Sequence, residues 1–544
     1  MNLENYEAIV VGSGATGGLA ALSLAEQGIK VLVIEAGQHL DRKEASNNEP
    51  QATLQRISKI ISKKHRAQIQ HPGYWKNNPN LYADEFKYPY SNPKNKPFLW
   101  TQGKQVGGRS LTWGGITLRL GSEDFKPSSK DGFGSDWPIS YDELSPFYDY
   151  VENLMGIYGQ KDNLEQVPDG NYIGNLTLTD SELLFRSKLK KKLNYPFIQS
   201  RGFEKNCSVK EDIWPRSSSI GSTLRKALQT GNVQILANHL VESFETDSHK
   251  ERATKIQIVN TKNGLRKELS CSLLFLCAST INSLRILLNS EKKIRKNGFL
   301  DPSDKLGKYL MDHVSICKFF SMPFEGVSNF QSKLLSGAGS FFIPFGSKLP
   351  TGTKIDFIRG YGIWGAIDRL GIPRFLQKNT EESLGFLISH GEVLPNKDNK
   401  VTLSSQTDSW GIPIPHIDFQ WSDNEIKMSK HMKITMRQIV SETGGKIINF
   451  QDVLNIPFLK YLQNNSIALT GDIPHPGYYI HEVGGAPMGT SEENSVTDKW
   501  NRLWRCKNVF VVDGACWPTS SWQSPTLTMM SLTRRACYAV KRLL

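Results

Sequence analysis

Residues 6 to 35 constrain the fold of this chain more than any other stretch. Tyr6 to Val11 is an apolar run of strand length. Gly12-Ser13-Gly14-Ala15-Thr16-Gly17 follows, with Gly18 behind it. Ala20, Ala21, Leu22, Leu24 and Ala25 give a helix that stops near Gly28. Val31 to Ile34 is a second apolar strand, and Glu35 ends it. Strand, glycine turn, helix and strand in this order form the dinucleotide-binding fingerprint. The glycines permit a tight turn and let the main chain approach a pyrophosphate. The helix start offers that anion free N–H groups and the positive end of a dipole. Glu35 stands where an acid accepts from ribose hydroxyls, which argues against a 2′-phosphate. The fingerprint predicts an α/β fold and leaves NAD and FAD both open.

A second glycine segment runs from Gly103 to Gly115 (GKQVGGRSLTWGG). Two glycine pairs this close mark main chain pressed against something flat or anionic. A plain glycine-rich turn is the alternative, and it weakens after a dinucleotide unit.

At 544 residues the chain exceeds what one hydrophobic core holds. Residues 39 to 95 are polar and basic without a sustained period, so they read as a surface excursion with short helices. Ser140 and Glu143 form a capping box for a helix from Tyr141 to Tyr158. Strands at 233–236, 241–245, 254–259 and 269–277, then a helix through Leu288, return the chain to the nucleotide-binding sheet. From about 315 the pattern changes. Phe319-Phe320, Phe341-Phe342, Ile355 to Ile358, Leu384 to Ser389, Val401 to Leu403 and Ile417 to Gln420 read as strands, followed by a helix from Asp423 to Glu442. This is an inserted lobe with an antiparallel sheet. The expected organisation is a nucleotide-binding domain over 1–314, with excursions at 39–100 and 140–230. A substrate-binding domain spans 315–465, and residues 466–544 return to the first domain.

That return carries His481 behind Tyr479-Ile480. It also carries a strand, Val509 to Val512, that ends on Asp513-Gly514. Ser524 and Pro525 then open a helix, serine as N-cap and proline at the first helical position.

The net charge of +13 is spread over short basic runs such as Lys63-Lys64-His65-Arg66 and Lys190-Lys191-Lys192. No aromatics interleave with them, so they read as solvated faces and no nucleic-acid partner is expected. The seven cysteines are odd in number and none has C-x-x-C spacing. Neither a disulfide framework nor a metal site is expected. No apolar run reaches bilayer length, and a strand starts at Tyr6 where a leader would lie. A cytoplasmic location is the expectation.

Val11 to Gly37, Gly103 to Gly115, Leu276 to Leu288, Leu306 to His313 and Ile480 to Ala536 together carry a resemblance. The chain resembles the glucose–methanol–choline (GMC) flavoprotein oxidoreductases, through HEVGGAPMG, VVDGACWP and SPTLT in combination. VGGRSLTWGG is most similar to the branch of pyranose oxidases and bacterial FAD-dependent sugar dehydrogenases. The resemblance implies a Rossmann-type FAD-binding domain and an inserted α+β substrate domain. It implies FAD with its ADP half on Gly12, Gly14, Gly17 and Glu35, and Gly107 and Gly108 along the pyrophosphate and isoalloxazine. Val241 matches a position on the adenine side, and Asp513 and Gly514 match positions near the ribityl chain and pyrophosphate. Pro525 and Thr526 begin the helix that faces the flavin pyrimidine edge, where a helix start suits the negative charge of reduced flavin.

His481 matches the family's catalytic histidine. It is the expected base that takes the alcohol proton as hydride leaves carbon for flavin N5. His313 and His475 compete for that role. His313 is expected to be structural, and His475, between prolines, to be near the entrance or exposed.

Three positions depart from the pattern. Ser524 stands where the family pairs its histidine with Asn or His, so it is either a catalytic partner or a helix cap. Thr112 replaces the histidine that some relatives join covalently to FAD, so FAD is expected to be non-covalent. Cys207 stands alone where some relatives hold an iron–sulfur cluster, so no cluster is expected. The reading is an FAD-dependent oxidoreductase acting on the CH–OH group of a sugar, polyol or related alcohol. A dehydrogenase is favoured over an oxidase, with oxygen, a quinone or a protein carrier as acceptor. A flavin-dependent lyase or another non-oxidative activity is the alternative that Ser524 keeps open.

Overall fold

The computed structural model describes residues 6–45, 51–203, 214–247, 251–294, 300–323, 340–350, 355–369, 381–449 and 472–543. Cys207 lies outside the described residues.

Ala8–Val11, Val31–Ile34 and Leu273–Leu276 are buried at every position. Continuous apolar runs of this kind fit only a sheet covered on both faces. Among the described residues that sheet has six strands. Their order is Arg502–Leu503, Cys506–Val511, Leu273–Leu276, Ala8–Val11, Val31–Ile34, Val233–Leu236. Every pairing is parallel except the edge hairpin of Arg502–Leu503 with Cys506–Val511. The helices Ala15–Ala25 and Thr526–Leu543 cover one face, where Ala20, Ala21, Leu24, Ala536 and Val540 pack with Val10, Val33 and Phe275. The other face meets a three-stranded antiparallel sheet, His239–Thr246, Ala253–Asn260 and Arg266–Ser270. The single strand expected over 269–277 is therefore two. Arg266–Ser270 ends in the small sheet, and Leu273–Leu276 enters the parallel one.

The second large sheet is antiparallel throughout. Its order is Lys446–Ile448, Val314–Pro323, Glu382–Gly391, Tyr361–Ile367, Phe341–Gly346, Ile198–Gln199. The edge strand Ile198–Gln199 comes from the 140–230 stretch. The helices Asp180–Leu193 and Asp423–Glu442 cover one face through Phe185, Leu189, Met428, Met432 and Ile439. The opposite face carries Phe319, Phe342, Trp364 and Phe386, which pack on Ile116, Leu118 and Trp522. Side chains alternate along a strand, so His390 shares the face of Phe386 and Ile388.

Three of the expected strands differ. Ile355 to Ile358 is not a strand, and Tyr361–Ile367 takes its place. The amide and carbonyl of Ile358 bond instead to the Asn424 side chain, 2.9 and 3.3 Å away. Lys400–Thr407 and Pro413–Asp418 form a separate hairpin, held to Arg285 of the helix Thr280–Ile294 through Asp408, Ile412 and Pro413. The helix Asp423–Glu442 forms where the sequence places it, with Ser422 and Glu425 as a capping box.

Just ahead of the strand Val314–Pro323, the amides and carbonyls of Met311 and Val483 bond reciprocally at 2.8 and 2.9 Å. Gly484 N–H donates to Gly514 O at 2.8 Å, which brings in the end of the strand Cys506–Val511. Among the described residues, no helix is long and apolar enough to cross a membrane.

Candidate active site

The glycines of the fingerprint do different things. A Cβ on Gly17 would lie 2.0 Å from Gly12 O, so Gly17 lets the helix close onto the turn. A Cβ on Gly14 would find nothing nearer than Gly107 O at 4.0 Å. Gly14 thus leaves room for a methyl group, and the second glycine loop lies at van der Waals distance from it. Gly107 and Gly108 have φ of +97° and +51°, values that favour glycine. Gly107 N–H donates to Ser13 Oγ at 2.9 Å, and Ser13 Oγ donates to Glu35 Oε2 at 2.6 Å. Glu35 Oε1 accepts from Gly37 N–H at 2.8 Å. Both glycine loops and the acid form one connected cradle.

Asp513 closes the same region. Its carboxylate accepts from the Ser283 hydroxyl at 2.5 Å and from Ala515 N–H at 3.0 Å, and burial pushes its pKa up to about 6. Gly514 is pressed against Thr280 and the main chain of Glu482. Val241 packs its side chain into the core beside a register shift, so only its main chain is left for a ligand. Pro525 is buried, and Thr526 opens the last helix, half-buried. Arg109 donates to Glu482 Oε2 at 2.9 Å and to Ser279 Oγ at 2.6 Å. The other oxygen, Glu482 Oε1, is buried without a partner. Thr112 Oγ1 bonds to Arg109 O at 3.3 Å.

His481 is held by its own main chain. Asp312 accepts from His481 N–H at 3.1 Å and from Gly477 N–H at 2.9 Å. Burial, then the Glu482 charge, raises the Asp312 pKa to about 7. Ile480, just before the histidine, has φ of +64°. A β-branched residue there is strained by about 1–3 kcal/mol, and the Asp312 bonds on both sides maintain it.

Around His481 the structure assembles residues that are far apart in the chain. His313 Nδ1 lies 2.7 Å from His481 Nδ1, and His313 Nε2 donates to Ser521 O. His390 comes down from the antiparallel sheet with its ring centroid 6.1 Å from that of His481. Its Nε2 bonds to the Tyr479 hydroxyl, which also accepts from Trp364 Nε1 at 2.6 Å. A main-chain hydrogen bond at Trp522 holds His390 as well. Burial depresses the pKa of all three rings: His313 falls to about 4, while His390 and His481 fall well below the ordinary imidazole value. For His481 the neighbouring His313, His390 and Arg109 add to the burial effect. Among the described residues, both nitrogens of His313 are engaged and Nε2 of His481 has no partner.

Ser524 is buried, yet among the described residues its hydroxyl makes neither a helix-capping bond nor a bond to His481. His475 is half-buried and does not join the cluster. His313, expected as structural, touches His481 directly. His390 and Trp364 gave no signal, because each sits in an ordinary apolar strand pattern.

GMC oxidoreductase family models match residues 6–315 and 395–533. The chain is 24% identical to 2-methyl-1,2-propanediol dehydrogenase of Mycolicibacterium austroafricanum, over 98% of this chain and 94% of that protein. It is 24% identical to the fructose dehydrogenase large subunit of Gluconobacter japonicus, over 98% and 97%. Among solved structures, pyridoxine 4-oxidase from Mesorbium loti superposes with a TM-score of 0.63 at 16% identity, covering 99% of each chain. A formate oxidase variant of Aspergillus oryzae does so with a TM-score of 0.64 at 15% identity, over 100% of this chain and 99% of the other. The chain belongs to the GMC oxidoreductase family, and its cofactor is FAD.

Proposed function

We propose that the chain oxidises a CH–OH group of a sugar, polyol or related alcohol, with Nε2 of His481 accepting the hydroxyl proton. The observation that carries this is the spare nitrogen: His481 is half-buried, its Nδ1 is engaged by His313, and among the described residues no group bonds its Nε2. A ring nitrogen that no protein group engages is open to a substrate hydroxyl. The depressed pKa keeps that lone pair available at neutral pH.

FAD, when bound, supplies the two-electron acceptor for the hydride from the carbinol carbon. The residues present fit it. The glycine turn and the start of the helix Ala15–Ala25 suit a pyrophosphate, and Glu482 Oε1 is a buried acceptor without a partner. Gly12, Gly14, Gly17 and Glu35 would hold the ADP half, with Val241 acting through its main chain. Gly107, Gly108, Asp513, Gly514, Pro525 and Thr526 would line the remainder. Thr112 has its hydroxyl turned to a carbonyl and is a poor nucleophile, which favours non-covalent FAD. The uncommitted hydroxyl of Ser524 suits a group that orients the substrate better than it suits a cap. Residues 315–465 supply most of the substrate-side lobe, whose inner face is aromatic. The two relatives named above are dehydrogenases and the two solved structures are oxidases; the dehydrogenase reading leans on the relatives, which are the more similar in sequence.

The test is the visible spectrum of the FAD-loaded protein, recorded anaerobically with D-fructose, D-glucose, sorbitol, 1,2-propanediol and ethanol. Bleaching by one class supports the reading, and His481→Ala should then slow bleaching by about 10²- to 10⁴-fold. Turnover of an alcohol without bleaching would turn the reading toward the lyase.

A further inference from the structure

His313 and His481 face each other Nδ1 to Nδ1 at 2.7 Å. Two nitrogens at that distance share one hydrogen, so one ring donates and the other accepts. The direction follows from the far side of His313. There Nε2 meets the carbonyl of Ser521. A carbonyl only accepts, so Nε2 of His313 carries the hydrogen. A neutral imidazole has a single N–H, which leaves Nδ1 of His313 as a lone pair. His481 must therefore donate from its own Nδ1, and its Nε2 is left bare. Burial keeps His313 neutral, with a pKa of about 4, which excludes a second hydrogen on that ring near neutral pH.

We propose that His313 is a positioning residue that fixes the tautomer of His481, so that the lone pair of His481 always sits on Nε2. The inference rests on the reading of His481 as the base. A neutral histidine here takes the orienting place that a carboxylate holds in many acid–base dyads. It orients the ring without adding a negative charge, in keeping with the depressed pKa of His481. The arrangement depends on Ser521, three residues before Ser524, so the segment that opens the last helix also sets the protonation pattern of the site.

Without the acceptor on His313, Nδ1–H of His481 would be left unbonded. The ring could then move its hydrogen to Nε2 and leave no lone pair there to accept a substrate proton. Glutamine can replace both functions of His313, with its carbonyl accepting from His481 and its amide donating to Ser521.

The experiment uses the FAD-loaded protein with ¹⁵N-labelled histidine rings, assigning His481 by the resonances lost in His481→Ala. The ring nitrogen shifts read the tautomer directly, whatever the activity. The expected result is a protonated Nδ1 and a bare Nε2 on His481, kept in His313→Gln and lost to a mixture in His313→Leu. In parallel, anaerobic bleaching by the alcohol found active should fall on the order of 10- to 100-fold in His313→Leu and recover most of that in His313→Gln. An Nε2–H tautomer in the unmodified protein overturns the proposal without any variant. So does an unchanged tautomer in His313→Leu. Wild-type bleaching in His481→Ala would instead remove the base reading, while the ring shifts still report whether His313 sets the tautomer.

Discussion

Arg109 Nη1 donates to Glu482 Oε2 at 2.9 Å, and this ion pair ties the second glycine loop to the residue that follows His481. The Glu482 side chain is 1% exposed and that of Arg109 25%, so the anion is the buried partner. Its other oxygen already has no bond. Arg109→Ala would strand a buried carboxylate, at a cost of about 3–5 kcal/mol. Glu482→Gln removes the charge and should cost much less. Thermal unfolding of the two variants checks the order. Equal midpoints would mean that the pair does not hold the two segments together.

The fingerprint glycines separate folding from cofactor binding. Gly17→Ala forces a methyl to 2.0 Å from Gly12 O and should prevent the helix from closing on the strand. Gly14 has φ of −71°, open to alanine, and no atom nearer than 4.0 Å to the new methyl. Gly14→Ala should therefore fold with a thermal midpoint near that of the FAD-free parent, yet bind FAD at least about tenfold more weakly. Circular dichroism and flavin fluorescence titration read the two effects apart.

The acid limb of the reaction should lie low. Burial, reinforced by His313, His390 and Arg109, holds the His481 pKa well below the usual imidazole value of about 6.5. A base is active while it is unprotonated, so the rate of flavin bleaching at low substrate should stay level from pH 8 to below 6.5. A limb at or above pH 7 would contradict the neutral cluster. His481→Ala should remove the limb along with most of the rate.

Stability should carry an opposite pair of pH effects. The unfolded imidazole titrates near 6.5, and His313 in the fold near 4. Between those values the unfolded chain binds a proton that the folded chain refuses, so stability falls as pH drops through that window. The full difference is about 3 kcal/mol. Asp312, raised to about 7, acts in reverse. Between about pH 4 and 7 the folded chain keeps a proton that the unfolded chain has lost, so its contribution falls as pH rises. In His313→Gln, the thermal midpoint should decline less between pH 6.5 and 4 than in the parent. Parallel curves would show that His313 is not held neutral.

What could be read from the chain was local. The capping box Ser140/Glu143 fixed its helix start because the bonds join residues three apart. The strand expected at Ile355 to Ile358 failed for the opposite reason: its main chain is satisfied by Asn424, 66 positions on, which no local pattern reveals. Ile480 looked like an ordinary apolar neighbour of His481, and its left-handed backbone is imposed by Asp312, far upstream.

By itself the sequence determined the glycine cradle and its acid, the family, and His481 as the residue of interest. Each is a contiguous motif, and the physics that makes it work acts over a few residues. Only the tertiary structure decided which nitrogen of His481 is free. That depends on His313 and Ser521, which arrive from separate segments and meet beside His481. A histidine's proton is placed by its partners, and those partners come from the fold.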